Sequence, residues 1–390
     1  MIPRLAEPVL KALAAQYPVV AVTGPRQSGK TTLCRGAFPG KRYVTLENPD
    51  TRAFAIEDPR GFLRGLPEGA ILDEIQRAPE LPSYLQAIVD AEPQPGRYIL
   101  TGSEQFEVLN RISQSLAGRT GLIKLLPFSI EEMHGHFPTR PVERLLYSGF
   151  YPRIHDQGIQ PSQALADYFD TYVQRDLRAL VNVGDLRLFE KFVRLCAGRC
   201  GQILSLSALA RDAGISHTTA RKWLTLLEAS YIAYVLPPYF WNTPKRLIKS
   251  PKLYFYDVGL ASHLLGAHDP AHLQLHPLRG ALFENLVVIE ALKYFWHRGR
   301  RAALHFYRDG DGNEVDLLLE RADGVFPVEI KAGETVNPDY FRGLRALARL
   351  YAAPPPNGGA VVYGGDETQT RDGARVVPVD AVHELMALIS

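Results

Sequence analysis

Cysteine is scarce in this 390-residue chain: Cys34, Cys196 and Cys200 are the only three. So few thiols make no disulfide framework and suit a reducing compartment. Cys196 and Cys200 stand four residues apart, as on one helix face, but no second Cys or His pair nearby completes a zinc site, so they read as small buried helix residues. Net charge is nearly absent too, since 44 Lys and Arg face 42 Asp and Glu for a balance of +2. That excludes a global nucleic-acid signature, and any case for nucleic acid has to be local. No apolar run approaches the ~20 residues of a membrane span, and the N-terminus lacks the charge and cleavage pattern of a secretory signal. A cytoplasmic protein with no membrane partner is the expectation. Solenoid and collagen-like repeats and long low-complexity segments are also missing. What remains is ordinary globular composition, 46% hydrophobic and 22% charged, at a length that suits two or three domains.

The most specific feature is Gly24-Pro25-Arg26-Gln27-Ser28-Gly29-Lys30-Thr31, a full match to G-x-x-x-x-G-K-[ST]. It follows a β-branched apolar run, residues 17–23, that reads as a buried strand, and Thr31-Thr32-Leu33-Cys34-Arg35 then opens a helix. Strand, loop and helix N-terminus turn backbone N–H groups toward a phosphate, which the helix dipole also favours. Gly24 and Gly29 permit close backbone approach, Lys30 reaches the β- and γ-phosphates, and Thr31 holds magnesium. The alternative is a glycine turn matching by chance, which the flanking strand and helix disfavour. Downstream, Ala70-Ile71-Leu72-Asp73-Glu74 is an apolar strand ending in two carboxylates, the Walker B pattern. Asp73 is the candidate to hold magnesium through water, and Glu74 to polarise the attacking water. A third strand, residues 97–100, runs into Thr101-Gly102-Ser103, where Ser103 is a candidate γ-phosphate sensor or else an ordinary turn serine. Together these residues predict binding and hydrolysis of a nucleoside triphosphate, with ATP and magnesium as cofactors.

With these motifs the chain resembles the AAA-type branch of the P-loop ATPases. More narrowly, it is similar to the bacterial and archaeal ATPases whose C-terminal half is catalogued as a domain of unknown function. The likeness is carried by residues 24–31, Leu72-Asp73-Glu74-Ile75-Gln76, Leu100-Thr101-Gly102-Ser103, Leu116-Ala117-Gly118-Arg119, Gly149-Phe150-Tyr151-Pro152 and Pro327-Val328-Glu329-Ile330-Lys331. The resemblance implies a homo-oligomer, with a hexameric ring as the form to expect, in which Arg119 of one subunit completes its neighbour's site. An arginine capping a helix C-terminus after Gly118 is the plain alternative. It also implies an α/β core over 1–135 and a helical lid or linker over 136–190. Residues 160–200 read as helical, since Ala164, Tyr168, Tyr172 and Arg175, and Phe189, Phe192 and Leu195, recur at three- and four-residue intervals. Pro138, Pro141 and Pro152 punctuate the transition, and the run 354–359, Pro-Pro-Pro-Asn-Gly-Gly, marks a later loop.

Residues 191–255 are expected to form a winged helix. Residues 207–213 make one short helix with Ser205 or Ser207 as cap, Gly214 makes the turn, and Ser216 caps a second helix with Trp223, Leu226 and Leu227 inward. Residues 231–236 alternate as a strand, and an excursion over 237–251 returns to Leu253. In a helix-turn-helix the second helix enters a major groove. Residues 191–254 hold ten Lys and Arg against Asp212 and Glu228, a net +8, so the rest of the chain is net −6. Such a local basic cluster is the footprint of phosphate contact, with Arg221, Lys222, Lys245 and Arg246 as candidate DNA contacts. A packing module with merely solvated lysines is the alternative.

Residues 256–390 carry a second candidate site. A helix opens near Gly280 and carries Glu284. A hairpin then follows over 304–319, its turn at Asp309-Gly310-Asp311-Gly312-Asn313, before a strand over 325–331. Strand alternation puts Glu329 and Lys331 on one face, with Asp316 on the neighbouring strand. This D…E-x-K pattern resembles the restriction-endonuclease-like superfamily, and Glu284 resembles the additional acid of many members. In that chemistry Asp316 and Glu329 hold magnesium, and Lys331 positions water or stabilises the charge on phosphorus. Charged pairs on paired strands are also common without chemistry. Asp309, Asp311, Asn313 and Glu320 mimic a calcium loop, but Glu314 stands where its turn needs Gly, so a hairpin turn is the better reading. His263, His268, His272 and His276 are interrupted by Pro270 and read as structural or solvated. The leading expectation is an ATP-hydrolysing DNA-binding protein, a ring-forming motor or switch on duplex or branched DNA, with a candidate nuclease site. The alternative is an ATP-dependent switch or scaffold that binds a protein partner without nucleic acid.

Overall fold

The computed structural model describes residues 2–103, 115–137, 141–171, 186–239, 248–322, 324–349 and 358–389. Lys245 and Arg246, Tyr172 and Arg175, Pro138 and residues 354–357 lie outside the described residues. The chain packs as two compact units. One comprises Met1–Phe128, Ala229–Tyr231 and Phe295–Arg301; the other comprises Ser129–Glu228, Ile232–Tyr294 and Ala302–Ser390.

In the first unit, β1 (Val19–Thr23), β2 (Tyr43–Thr45), β3 (Ala70–Asp73), β4 (Tyr98–Gly102) and β5 (Thr120–Lys124) form one sheet in the order β2-β3-β4-β1-β5. Every neighbouring pair is parallel. The β-branched and apolar composition of β1 suits a strand buried on both faces, and all five of its residues are buried. Alternation divides the core in two: Val19, Ala21, Leu72 and Leu100 pack on one face, and Val20, Val22, Ile71 and Ile99 on the other. Register then fixes the functional edge. Val22 pairs with Thr101 and Thr23 with Gly102, while Leu72 pairs with Leu100. The ends of β1, β3 and β4 therefore reach the same carboxyl edge, where open parallel sheets bind ligands.

In the second unit, helix Leu206–Ala213 is capped by Ser205, whose Oγ accepts from Ala208 N, and ends at Gly214 with φ +78°. Ser216 Oγ accepts from Thr219 N at 3.0 Å and opens helix His217–Ala229. Trp223 of that helix meets Phe189 and Phe192 edge-on, at ring centroid distances of 5.2 and 5.5 Å. The strand expected from residue 231 begins at Ala233, because Tyr231 takes φ +57° and breaks the extended run. Strands β6 (Ala233–Leu236) and β7 (Lys252–Phe255) pair antiparallel. Lys252, counted above with the basic charges of this segment, is a buried residue on β7 and no part of a charged surface. A mixed sheet follows in the order β12-β13-β11-β10-β9-β8. It is built from β8 (Leu304–Arg308), β9 (Glu314–Arg321), β10 (Gly324–Lys331), β11 (Ala360–Tyr363), β12 (Gln369–Arg371) and β13 (Ala374–Pro378). The β8–β9 turn closes on Asp309, whose Oδ1 accepts from Asp311 N and Asn313 N.

The Gly149-Phe150-Tyr151-Pro152 run has a backbone reason. Gly149 ends helix Val142–Ser148 at φ +59°, ψ −155°, a region essentially restricted to glycine. A Cβ there would stand 2.1 Å from Asp257 Oδ1. That carboxylate is committed, accepting from Phe150 N at 2.8 Å and Leu260 N at 3.0 Å. Gly149→Ala is expected to destabilise the protein by about 3 kcal/mol or more, strain and clash together. Denaturant unfolding of the variant at the wild-type midpoint would contradict this.

Candidate nucleotide site and C-terminal acid cluster

The loop after β1 is shaped by its glycines. Gly24 packs so closely on the residue after β5 that a Cβ would stand 2.0 Å from the carbonyl oxygen of Leu125. Gly29, at φ +91°, is the N-cap of helix Lys30–Ala37. Gln27, between them, also takes a positive φ, +61°. Ser28 is fully buried, Arg26 half-buried, and Gln27 and Thr32 are exposed. Arg4 braces the loop from the N-terminal segment, donating to Ser28 O and Leu126 O at 2.7 Å each. Lys30 Nζ donates to the carbonyls of its own loop, Gly24 at 3.0 Å and Pro25 at 2.7 Å. Burial pulls the Lys30 ammonium below its usual range, against the opposing fields of Glu74 and Asp73.

Asp73 ends β3 and is 5% exposed. Thr31 Oγ1 donates to Asp73 Oδ1 at 3.0 Å, Tyr43 Oη donates to Oδ2 at 2.7 Å, and Thr101 Oγ1 donates to Oδ1. Burial and the bond to Asp73 push the Tyr43 hydroxyl up to about 12, so it stays a donor. Glu74 follows with φ +58°, an uncommon conformation for a side-chain-bearing residue. Its Oε2 accepts from Ser103 Oγ at 3.1 Å and from Gln76 Nε2, and Gln76 Nε2 also reaches Ser103 Oγ at 3.1 Å. Thr101 links the two acids, since its Oγ1 also accepts from Glu74 N at 3.3 Å. The structure thus brings Lys30, Thr31, Asp73, Glu74 and Ser103 to one sheet edge. Sequence reasoning assigned no role to Tyr43, Gln76 or Thr101. Gln76 and Thr101 stood inside the quoted motifs, whereas Tyr43 carried no signal beyond its strand.

Arg119 is not in this cluster. It immediately precedes β5, its carbonyl accepts from Val19 N at 3.3 Å, and its guanidinium pairs with Asp90, Nη2 to Oδ2 at 2.9 Å. On the helix His217–Ala229, Arg221 and Lys222 are exposed beside the buried Ala220 and Trp223.

The C-terminal acids converge. β9 and β10 pair antiparallel with Leu317 opposite Val328. Asp316 Oδ2 accepts from Ile330 N at 2.8 Å and from Lys331 Nζ at 2.7 Å, and Lys331 Nζ lies 2.5 Å from Glu329 Oε2. Burial, and then Asp316, push the Glu329 carboxyl up, while Asp316 is held below its ordinary value because Lys331 and Lys252 outweigh its own burial. Glu284, on helix Arg279–Trp296, joins through two residues that went unassigned in the sequence. Lys252 Nζ donates to Glu284 Oε1 at 2.7 Å and Tyr254 Oη to the same oxygen at 2.6 Å.

A model of the AAA domain matches residues 16–134, and two domains of unknown function, DUF8612 and DUF4143, match residues 139–271 and 279–382. The chain is similar to uncharacterised proteins of Mycobacterium tuberculosis and Mycobacterium bovis, each 32% identical over 397 residues, covering 97% of this chain and 86% of theirs. An uncharacterised protein of Haemophilus influenzae is 24% identical over 290 residues, 68% of this chain and 69% of its own. Among solved structures, a Walker-type ATPase of Pyrococcus abyssi aligns with TM-score 0.43 and 16% identity over 66% of this chain and 94% of its own. AMPPCP-bound DnaA from Aquifex aeolicus aligns with TM-score 0.30 and 17% identity over 57% of this chain and 86% of its own.

Proposed function

Because this chain belongs to the AAA-type P-loop ATPases that carry a C-terminal domain of unknown function, we propose that it hydrolyses ATP with magnesium and couples the cycle to DNA. One observation carries the chemical part: Thr31, Asp73, Glu74 and Ser103 meet at a single sheet edge beside a buried Lys30. Magnesium fits the donor set, because the Thr31 hydroxyl and the Asp73 carboxylate are hard oxygens 3.0 Å apart. These two residues would hold the ion, whose charge would offset that on the β- and γ-phosphates. Lys30 exchanges the carbonyls of Gly24 and Pro25 for phosphate oxygens. The backbone N–H groups of residues 26–32 cradle the phosphates at the helix N-terminus. Glu74 orients and polarises the attacking water, with Ser103 and Gln76 holding its carboxylate in place and Ser103 answering to the γ-phosphate.

The DNA part rests on helix His217–Ala229. It follows a glycine turn and turns Arg221 and Lys222 outward, the layout of a winged helix whose second helix reads a groove. Lys245 and Arg246 belong to the same reading. A ring-forming motor or switch in the cytoplasm, acting on duplex or branched DNA, is the form this activity takes. The C-terminal cluster of Glu284, Asp316, Glu329 and Lys331 is its nuclease-like part. The test is DNA affinity against salt, followed by fluorescence anisotropy. Affinity is expected to fall steeply with salt, and Arg221→Glu with Lys222→Glu to flatten the log–log slope by about two and weaken binding at least about tenfold. Affinity untouched by the pair, or independent of salt, would favour a switch that binds a protein partner instead.

A further inference from the structure

Four carboxylates and two ammonium groups share the C-terminal cluster, and their pairing is unequal. Lys331 holds Asp316 and Glu329 and its side chain is 29% exposed, whereas that of Lys252 is 3% exposed. Lys252 Nζ lies 2.7 Å from Glu284 Oε1, 2.5 Å from Glu314 Oε1 and 4.0 Å from Asp316 Oδ1. Its strand is pinned on both sides, pairing Leu236 with Lys252 and bridging to Ile203. Strand alternation puts Tyr254 on the same face, and its hydroxyl also meets Glu284. Magnesium does not fit this donor set as it stands, because each carboxylate already pairs with an ammonium. Among the described residues no group of three or more His, Cys, Asp and Glu side chains is arranged to hold a metal ion, and Asp316 Oδ1, 4.0 Å from the ammonium, would have to close in to ligate one.

We propose that Lys252 is a built-in counter-cation that fills the position a divalent ion would take among Glu284, Glu314 and Asp316, closing the nuclease-like cluster to metal. The proposal rests on reading that cluster as nuclease-like. Two carboxylates within 3 Å of one buried charge make a tight cage, and removing that charge leaves Glu284 without a cation, while Glu314 keeps Arg308 and Asp316 keeps Lys331. A neutral side chain of similar length at 252 therefore leaves excess negative charge facing an apolar stem, and a divalent cation becomes the favoured replacement. Burial opposes the charge on Lys252, but Glu284, Asp316 and Glu314 outweigh it and keep the ammonium protonated.

The test uses the full chain without nucleotide and Mn2+ as the probe, with free Mn2+ followed by electron paramagnetic resonance. Wild type is expected to show no Mn2+ binding that Asp316→Asn removes. Lys252→Met is expected to bind Mn2+ at least about tenfold more tightly than wild type, with the gain lost when Asp316→Asn is added. Asp316-dependent binding by wild type, or no gain in Lys252→Met, overturns the proposal. Should Lys252→Met not fold, Lys252→Gln and the wild-type comparison with Asp316→Asn decide it alone. DNA cleavage separates the two readings. Mn2+ bound by Lys252→Met without cutting any DNA keeps the counter-cation and retires the nuclease, whereas wild-type cleavage that needs Mn2+ and Asp316 does the reverse.

Discussion

Glu74→Gln is expected to bind ATP as wild type does and to hydrolyse it about 10²–10⁴-fold more slowly. Glutamine preserves the length of the side chain and one carbonyl oxygen that can still accept from Ser103. What it loses is the negative charge that orients and polarises water. Because the phosphate-binding loop and the Thr31–Asp73 contact are untouched, binding should persist while turnover collapses. Lys30→Ala is the contrasting control. It removes the one ammonium buried within the loop, next to Gly24 and Pro25, and is expected to lose nucleotide binding itself. Single-turnover hydrolysis and equilibrium nucleotide binding, measured on both variants, separate the two effects. Wild-type turnover by Glu74→Gln would remove that residue from the water-activating role.

Arg119→Ala is expected to bind ATP normally and to lose about 10³–10⁵ in kcat, the scale of an arginine supplied to a phosphoryl-transfer site. The sheet register excludes this arginine from its own subunit's site, which leaves the proposed role in a neighbouring subunit as the one to test. Val19 at the start of β1 pairs with Thr120, and Thr23 at its end with Lys124. Arg119 therefore lies at the amino edge of the sheet, while Thr23 leads into the phosphate loop at the carboxyl edge. Five strand residues span roughly 16 Å, so its side chain does not reach the Lys30 and Asp73 of its own subunit. Its pairing with Asp90 is solvent-exposed, and exposed ion pairs are exchanged easily. Mixing Arg119→Ala with Lys30→Ala should restore part of the activity, since an arginine-deficient subunit borrows its neighbour's residue. Full activity of Arg119→Ala in a strictly monomeric enzyme would end this assignment.

The nucleotide site was legible because its parts are contiguous. Eight residues in sequence carry the phosphate loop, and its flanking strand announces itself by β-branched, apolar composition. Asp73-Glu74 and Ser103 were legible for the same reason, each ending a short apolar run. Ser205, Gly214 and Ser216 marked helix ends that the structure keeps, because capping is a matter of neighbours in the chain. The convergence of Asp316, Glu329 and Lys331 could also be read, since a period of two and a hairpin fix which side chains share a face.

Tyr43 and Thr101 were another matter, because they reach Asp73 from strands joined to β3 only by the sheet's order, whereas Gln76 meets Glu74 two residues away through a turn that the motif does not spell out. Lys252 shows the limit most clearly. In the sequence it is one of ten basic residues in a segment of net +8, indistinguishable from Lys249 three positions earlier. In the folded chain Lys249 is exposed, while Lys252 faces Glu284 and Glu314 from residues 32 and 62 positions away. Composition and period determine which strands and helices form and which face of each is apolar. Whether a charge ends in water or inside a cage of opposite charge is decided only when distant elements pack, because burial and partners belong to the assembled fold and not to the residue.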